Sequence, residues 1–508
     1  MSIVEGHDRN TLTAKKCEIC AAKLGKSKSV LPLVAVGVGV AALLGAGFFG
    51  YKTLLAKSDQ PDTAATPAAT TQPTTTPVAT ASTPPAVATG DASAFLSQGE
   101  RVLFTDNSNA DKQAGVEAIA SGDFPTAVAK LEAARKALRN DPETLIYLNN
   151  ARLGTGAALT IAAIVPIGSS PSSAQELLRG IAQAQDEAIQ SGVPFKVLIG
   201  DDNNDPAQAE TVANAVVQNS DAIAVIGHGT SRTTLAAAPI YQQGGLVMIA
   251  PTSTSTELAQ IPRGADGNFI FRTIPSDQFT GTTLARHMLS QGLSKAAIFY
   301  NSTSSYSASL QEAFATTISL EGGQVVQQID LSQGNAAAQL AQSGADAIAL
   351  FPDSETLPQA LEVAKANQNR LPVLAGDAFY RIETLQQAGA SLNGAVLSVP
   401  WHPQRSADPS FAVKGADLWG GDVNWRSALS YDALRVIRYA RSVASVTPQS
   451  GPQGRLLLEQ AMSDTSFSTS GVTGSVSFLP SGDRNSGVIL VKIQPGSRSG
   501  TGFDFVPF

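Results

Sequence analysis

The feature that most constrains the fold lies at residues 222–258, where two short apolar runs flank a helical pattern. The runs Ala222–Ile226 and 246–249 are apolar throughout and rich in β-branched residues, which is typical of parallel strands covered by helices on both faces. Residues 230–243 between them have the pattern of a crossover helix. Because parallel neighbours need such a crossover, this unit predicts an α/β fold.

Small hydroxyl residues follow both strands, at 227–231 after the first and at 252–256 after the second. In open α/β sheets the carboxyl ends of the strands face the ligand crevice, so we expect the two loops to converge. Backbone N–H groups and Ser/Thr hydroxyls at helix N-termini form a cradle for a carboxylate or phosphate. The sequence therefore predicts a binding site for such a group at this edge of the sheet.

These residues resemble the periplasmic solute-binding proteins of the branched-chain amino-acid type. That family has a strand ending in Gly-His or Gly-Pro, a Ser/Thr cluster, a helix, and a strand ending in S/A-P-x-x-T. This chain has GHGTS at 227–231 and APTST at 250–254. The resemblance extends from residue 159 to the C-terminus through further motifs, a D-x-x-x-D-P-x-x-A segment within 201–217, FRTIPSDQ at 271–278, YDA at 431–433 and a closing strand pair at 471–485.

The resemblance implies an α/β, two-lobed type I periplasmic-binding fold, in which two doubly wound parallel sheets are joined by three hinge crossings. Residues 271–278 and 394–400 match the first two crossings. Bending at such crossings lets two lobes close around a ligand. The implied boundaries are a periplasmic-binding domain at 156–508, with lobe one at about 156–275 and 402–472 and lobe two at about 276–401 and 473–508.

The resemblance also implies a ligand site. Ser231, Thr252 and Thr254 match the positions that bind the α-carboxylate and ammonium of an amino acid in the family. A hydrogen bond to a charged group contributes roughly 1.5–3 kcal/mol, so three or four of them are compatible with a micromolar dissociation constant. Tyr306 matches an aromatic residue of the second lobe, which covers the ligand; the alternative for Tyr306 is a half-buried loop residue.

Two positions depart from the family pattern. Ser173 stands where amino-acid binders often have an aromatic residue, and Asp353 stands in place of a second-lobe tyrosine. Asp377 best matches the acidic residue that meets the ligand's ammonium group. Two carboxylates near the cleft would favour a cationic group on the ligand. Both could instead be solvated loop residues or helix caps.

No motif indicates an enzyme, a cofactor or a metal centre. Asp205-Pro206 lies directly before a predicted helix, where Asp caps and Pro suits the first turn, so we interpret the neighbouring carboxylates as capping residues. Cys17 and Cys20 have zinc-ligand spacing, but a structural zinc site needs four ligands and His7 could supply only one more. The pair is either two reduced cytosolic thiols or a vestigial or intermolecular zinc knuckle. We expect His228 to pack at a strand end. The chain has no H-E-x-x-H motif and no G-x-S-x-G motif.

The N-terminal part of the sequence predicts a membrane anchor. Residues 30–51 carry no charge and are long enough to span a bilayer, and the segment 1–29 before them is basic. By the positive-inside rule we expect 1–29 in the cytoplasm, a single membrane helix at 30–55 in the plasma membrane, and the rest in the periplasm or extracellular space. A cleaved signal peptide is the alternative. Residues 56–92, rich in Ala, Thr and Pro, predict a flexible linker.

Residues 93–155 predict a small all-α module with helices at 112–121, 125–139 and 142–153. The turn GDFPTA at 122–127 resembles the middle of a tetratricopeptide repeat, although Pro142 falls three residues late for the closing proline of that repeat. A single repeat cannot bury its own hydrophobic face. The segment is either a helical spacer that packs on the next domain or a module that binds a peptide or a protein partner.

Two functions follow from these patterns. The first is a membrane-anchored bacterial solute receptor that captures an amino acid or similar small polar ligand and delivers it to an ABC permease. The second is a ligand-sensing or scaffold protein that uses the same fold, with the helical module as a docking surface. A nucleic-acid partner is not expected, because the net charge is −7, only 15% of the residues are charged, and no long basic face occurs.

Overall fold

The computed structural model describes residues 92–508. The strands are β1 (Leu96–Ser97), β2 (Leu159–Val165), β3 (Phe195–Asp201), β4 (Ala222–Ile226), β5 (Val247–Ala250), β6 (Ile270–Arg272), β7 (Lys295–Tyr300), β8 (Gln324–Asp330), β9 (Ala347–Phe351), β10 (Val373–Ala375), β11 (Val396–Val399), β12 (Thr469–Gly471), β13 (Gly474–Val476), β14 (Ile489–Pro495) and β15 (Phe503–Pro507).

The α-helices of the same part of the chain are α1 (Ala110–Ala120), α2 (Phe124–Ala137), α3 (Pro142–Leu153), α4 (Pro171–Gln190), α5 (Pro206–Gln218), α6 (Ser231–Gln243), α7 (Asp277–Ser290), α8 (Ser305–Leu320), α9 (Ala336–Gln339), α10 (Leu357–Asn367), α11 (Ile382–Ala388), α12 (Pro409–Trp419), α13 (Trp425–Val443) and α14 (Gly451–Ser463).

Lobe one is built on a sheet with the order β1-β3-β2-β4-β5-β6. Strand β2 is buried along its whole length, and its side chains alternate between two hydrophobic cores. Ile161 and Ala163 pack in the core that contains α4 and α13, whereas Ala162 and Ile164 pack in the core of α5 and α6. An unbroken apolar strand is stable here because helices cover both faces of the sheet.

Lobe two is built on a second sheet with the order β15-β14-β11-β10-β9-β7-β8. Its parallel part lies between α7 and α8 on one face and α10 and α11 on the other. The prediction of an α/β, two-lobed type I periplasmic-binding fold is confirmed, but the prediction of purely parallel sheets is wrong. Strand β14 pairs antiparallel with both β11 and β15, because β14 enters the sheet from the chain's last passage between the lobes and continues directly into a hairpin.

The chain passes between the two sheets at three places. It leaves lobe one after β6 and enters α7, which packs on α8. It returns after β11, where Trp401 enters the lobe-one core. It leaves again after the hairpin β12–β13 and enters β14.

The segment before β2 is part of lobe one. The sequence predicted an all-α segment here. That prediction is wrong, because the segment also contains strand β1, which pairs antiparallel with β3. The side chain of Asn150 on α3 bonds to both backbone groups of Val197 on β3, at 2.8 and 3.0 Å. Helices α1–α3 share one hydrophobic core with α4 and α13. These contacts match the spacer interpretation, in which the helices pack on the next domain.

Within residues 92–508, no helix is both long enough and apolar enough to cross a bilayer. The predicted basic segment 1–29 and membrane helix 30–55, and the predicted linker 56–92 apart from its last residue, lie outside the described residues. Anchoring therefore remains a prediction from the sequence.

Candidate functional site

A cleft between the lobes contains most of the predicted site residues, and its cavity volume is about 100 Å³. This volume suits a ligand of amino-acid size. Side chains from both lobes line it, namely Asn204, Thr230, Ser231, Arg232, Thr252, Trp425 and Arg426 from lobe one and Asn301, Thr303, Ser304, Tyr306, Asp353, Ser354, Glu355, Asp377 and Arg381 from lobe two.

Helix α6 begins at this cleft. Thr230 is its N-cap, with a side chain that accepts a hydrogen bond from the backbone N–H of Thr233 and donates one of 2.6 Å to Asn204 Oδ1. The first residues of a helix present unpaired N–H groups and the positive end of the helix dipole. The lobe-one wall is therefore suited to an anionic group, as predicted from the hydroxyl-rich loop.

Ser231 and Thr252 both line the cleft, but only one of their hydroxyl groups is free to donate a hydrogen bond to a ligand. The Ser231 hydroxyl accepts hydrogen bonds from Ser253 Oγ (3.2 Å) and from the backbone N–H of Ser255 (3.4 Å), so its own proton can be donated to a ligand. The Thr252 hydroxyl instead donates to the carbonyl oxygens of His228 and Gly229, both at 3.1 Å. Thr252 thus holds the 227–231 loop against the loop that follows β5.

Thr254 and Ser173 do not line the cleft. Thr254 is buried, and its carbonyl accepts a 2.8 Å hydrogen bond from the backbone N–H of Asp277. Ser173 lies in the first turn of α4, because that helix begins at Pro171, and is partly exposed there. The structure therefore brings together five of the seven predicted residues and leaves these two outside the cavity wall.

In lobe two, Tyr306 donates a 2.7 Å hydrogen bond to Asp377 Oδ1. Burial raises the pKa of the Tyr306 phenol well above 10, and the Asp377 charge adds to this effect, so the phenol stays protonated and acts as the donor. Burial also raises the pKa of Asp377, although the Tyr306 hydrogen bond opposes this increase. The pair forms a buried acidic wall that faces the N-terminus of α6.

Asp353 lines the cleft, but its carboxylate is engaged within lobe two. One oxygen accepts hydrogen bonds from the backbone N–H groups of Glu355 (3.1 Å) and Thr356 (2.9 Å), and the other accepts one of 3.0 Å from Asn301. This is the capping alternative that the sequence left open. Asp353 therefore has little capacity left for a ligand cation.

Sequence analysis missed two arginines of the cleft, Arg381 and Arg426. Arg426 follows the N-cap Asn424 of α13, is 8% exposed, and stacks on the Trp425 ring at 4.2 Å. Burial lowers the pKa of Arg426 to about 10. The sequence did contain one signal for Arg426. A cation in the first turn of a helix is unfavourable with the helix dipole, so its presence there suggests a functional role.

Asp277 is a further residue that the sequence did not single out. It is the first residue of α7 and is 1% exposed, and neither carboxylate oxygen has a well-formed hydrogen bond among the described residues. Burial raises the pKa of Asp277 to about 7, although the nearby Ser309 and Thr254 hydroxyls oppose the shift. A buried acid therefore lies at the first passage between the lobes.

His228 packs at the strand end, as the sequence indicated. Its Nδ1 lies 2.7 Å from Asp202 Oδ2 and its Nε2 lies 3.1 Å from the Tyr241 hydroxyl, with all three side chains buried. Asp205 caps α5 by accepting a 2.8 Å hydrogen bond from the backbone N–H of Gln208. Within residues 92–508, no group of three or more His, Cys, Asp or Glu side chains is placed to hold a metal ion.

Comparison with known proteins gives a family and several relatives. Residues 158–497 match the family described as periplasmic binding protein. The chain is 28% identical over 171 residues to the "Amino acid binding protein" of Pseudomonas aeruginosa, covering 33% of this chain and 45% of that protein. It is 40% identical over 114 residues to the "Leucine-specific-binding protein" of Salmonella typhimurium, covering 22% of this chain and 30% of that protein. The chain thus aligns with less than half the length of these curated relatives.

Among solved structures, a substrate-binding protein of an ABC transporter from Desulfitobacterium hafniense in complex with Leu aligns with a TM-score of 0.57 and 25% identity. The alignment covers 69% of this chain and 100% of that chain. The family match spans more than half of the sequence, including both lobes and the cleft between them. On this basis, the chain belongs to the periplasmic binding protein family.

Proposed function

We propose that this protein is an extracytoplasmic solute-binding protein that captures an amino acid or a similar small polar ligand between its lobes for an ABC importer. The observation that carries the proposal is the cleft itself. In it the N-terminus of α6, with the free Ser231 proton, faces the Tyr306–Asp377 pair across the two lobes. An anion-binding wall opposite an acidic wall matches the α-carboxylate and ammonium of an amino acid.

The names of the relatives support the same ligand class. One is an amino acid binding protein and another is a leucine-specific-binding protein. The polar and charged groups that line the cleft are suited to holding a charged ligand, which supports binding as the role of the site. An ABC permease is the partner that this proposal requires.

We also propose that residues 30–55 anchor the protein in the plasma membrane and that residues 56–92 act as a tether. The support is the charge-free segment with lysines before it. The test is fractionation of cells that express the full chain. Retention in the membrane pellet after alkaline extraction supports an anchor, and release into the soluble fraction supports a cleaved signal peptide.

The sensory or scaffold alternative has less support. Helix α3 is buried over most of its length between α2 and lobe one, and α1–α3 contribute their apolar side chains to the lobe-one core. Few apolar side chains of the helical segment are left for a partner, although Leu138 is exposed. We therefore propose that this segment buttresses lobe one.

The deciding experiment is thermal unfolding of the full-length chain with each amino acid and with small carboxylates and amides. A ligand at 100 times its dissociation constant adds about 2.7 kcal/mol, which shifts the midpoint by a few degrees. We expect Ser231→Ala to remove the shift, and Thr211→Ala, on the exposed face of α5, to retain it. The absence of a shift with every compound would reject the receptor proposal.

A further inference from the structure

The cleft contains a cation without a direct ion-pair partner among the described residues. The Arg426 guanidinium lines the cavity and is 8% exposed, and no hydrogen bond or ion pair within 4 Å joins it to another described residue. The guanidinium instead stacks on the Trp425 ring, with its Cζ 4.2 Å from the ring centroid. Stacking on a ring leaves the in-plane N–H donors of a guanidinium available for an acceptor.

Arg381 brings a second guanidinium to the same cavity from lobe two. Its Nη2 donates a 2.6 Å hydrogen bond to the neutral Ser354 hydroxyl, while its buried Nε lacks a partner among the described residues. Burial and the Arg381 charge both lower the pKa of Arg426, whereas the charges of Asp377 and Glu176 oppose this decrease. Two cations therefore approach the cavity from opposite lobes.

The carboxylates near these arginines accept hydrogen bonds from other groups, although the charge of Asp377 still favours the ionised form of both arginines. Asp377 accepts the Tyr306 hydrogen bond, and Glu176 pairs with Arg179 and accepts a hydrogen bond from Ser427. At the rim, Glu355 pairs with Arg232 at 3.3 Å. Within the described residues, three arginines and three carboxylates line the cleft, and no carboxylate forms a direct ion pair with Arg381 or Arg426.

We infer that the ligand carries a carboxylate in addition to the one held at the N-terminus of α6, and that Arg426 and Arg381 bind this second carboxylate. The ligand class is an amino acid with an acidic side chain. An apolar side chain at this place would leave N–H donors of both guanidinium groups without a hydrogen-bond acceptor when the cleft closes, which is costly. A carboxylate supplies charge-assisted hydrogen bonds to both arginines.

This inference rests on the proposed function, so its test separates the two. Glutamate, aspartate, glutamine, asparagine and leucine are titrated against the full-length wild type by calorimetry. We expect an acid to bind at least about tenfold more tightly than its amide. Arg426→Gln is expected to remove this preference, and Arg426→Lys to retain part of it. Arg438→Gln, on the same helix outside the cleft, is the matched control.

The outcomes are distinct. Binding of leucine or an amide as tightly as the acids, or an unchanged acid-to-amide ratio in Arg426→Gln, would overturn the inference and leave the amino-acid receptor in place. Failure of every amino acid to bind the wild type would reject both proposals. Because loss of fold could imitate loss of binding, the unfolding midpoint of each unliganded variant is measured, and Arg381→Gln repeats the test from lobe two.

Discussion

The Tyr306 hydroxyl and the Asp377 carboxylate are joined by a 2.7 Å hydrogen bond at the cleft wall of lobe two. Replacing Tyr306 with Phe removes a bond that stabilises the ionised carboxylate, so we expect the pKa of Asp377 to rise further. If Asp377 meets the ligand's ammonium group, affinity should fall roughly ten- to hundredfold near neutral pH. Calorimetry over a pH series checks this prediction. Tyr439→Phe, at an exposed position of α13, is the control. Unchanged ligand affinity in Tyr306→Phe would contradict the prediction.

Asp277 should make the protein less stable as the pH rises. Its pKa is about 7 in the folded protein, against 3.8 for an exposed Asp, so its stabilising contribution is complete below pH 3.8 and is lost as the pH rises through 7. Since one pKa unit corresponds to about 1.4 kcal/mol, we expect Asp277→Asn to be more stable than wild type above pH 7, by on the order of 2–4 kcal/mol. The difference should shrink towards pH 4.

The measurement is the urea unfolding midpoint of wild type and Asp277→Asn at several pH values. The exposed Asp266 provides the control variant Asp266→Asn. Parallel curves for wild type and Asp277→Asn across the whole pH range would show that Asp277 does not titrate in this window.

Lys112 should stabilise the helical segment. It is fully buried, and its Nζ lies 2.7 Å from Asp141 and 2.6 Å from Glu143. Burial lowers the pKa of Lys112, but the two carboxylates outweigh it and raise the pKa above 10.5, so this contribution persists until the pH exceeds 10.5. Lys112→Ala leaves two buried carboxylates unpaired and should cost about 3–5 kcal/mol in unfolding free energy. Lys130→Ala, which breaks the exposed pair with Asp111, should cost less than about 1 kcal/mol.

The ion pair between Arg232 of lobe one and Glu355 of lobe two should favour the closed cleft only weakly. Both side chains are about half exposed, so Glu355→Gln should reduce ligand affinity by no more than about fivefold. The effect should appear in the dissociation rate at low salt and disappear at about 0.5 M salt. Glu362→Gln breaks a comparable ion pair, with Lys365, within lobe two and should leave the ligand affinity unchanged. An effect that persists at high salt would contradict this prediction.

The hydrophobic pattern was sufficient to predict the central unit of lobe one. Strand β4 and helix α6 lie where 222–226 and 230–243 indicated, and Ser231 reaches the cleft because the carboxyl ends of parallel strands meet at one edge. Such a prediction needs only the local hydrophobic periodicity and the rule that ligands bind at the carboxyl ends of parallel strands. Tyr306 and Asp377 came from the family resemblance, and the structure places them in the same cleft.

Other features depend on contacts between distant parts of the chain. Arg426 reaches the cleft because α13, from the second passage through lobe one, packs on α4, and periodicity does not show this packing. Strand β15 follows the Gly- and Ser-rich turn at 496–502 and is only partly buried, so its apolar signal is weak. Thr254 was placed in the site by position, but the turn after β5 directs it to the passage near Asp277.

The pairing of β1 with β3 makes the first described residues part of lobe one. The described part of the chain enters the sheet of lobe one through β1, and helices α1–α3 then pack into the core of that lobe. Within residues 92–508, lobe two is connected to lobe one by the three passages. If residues 30–55 anchor the protein as proposed, lobe one is the lobe next to the tether, and opening and closing of the cleft moves lobe two relative to it.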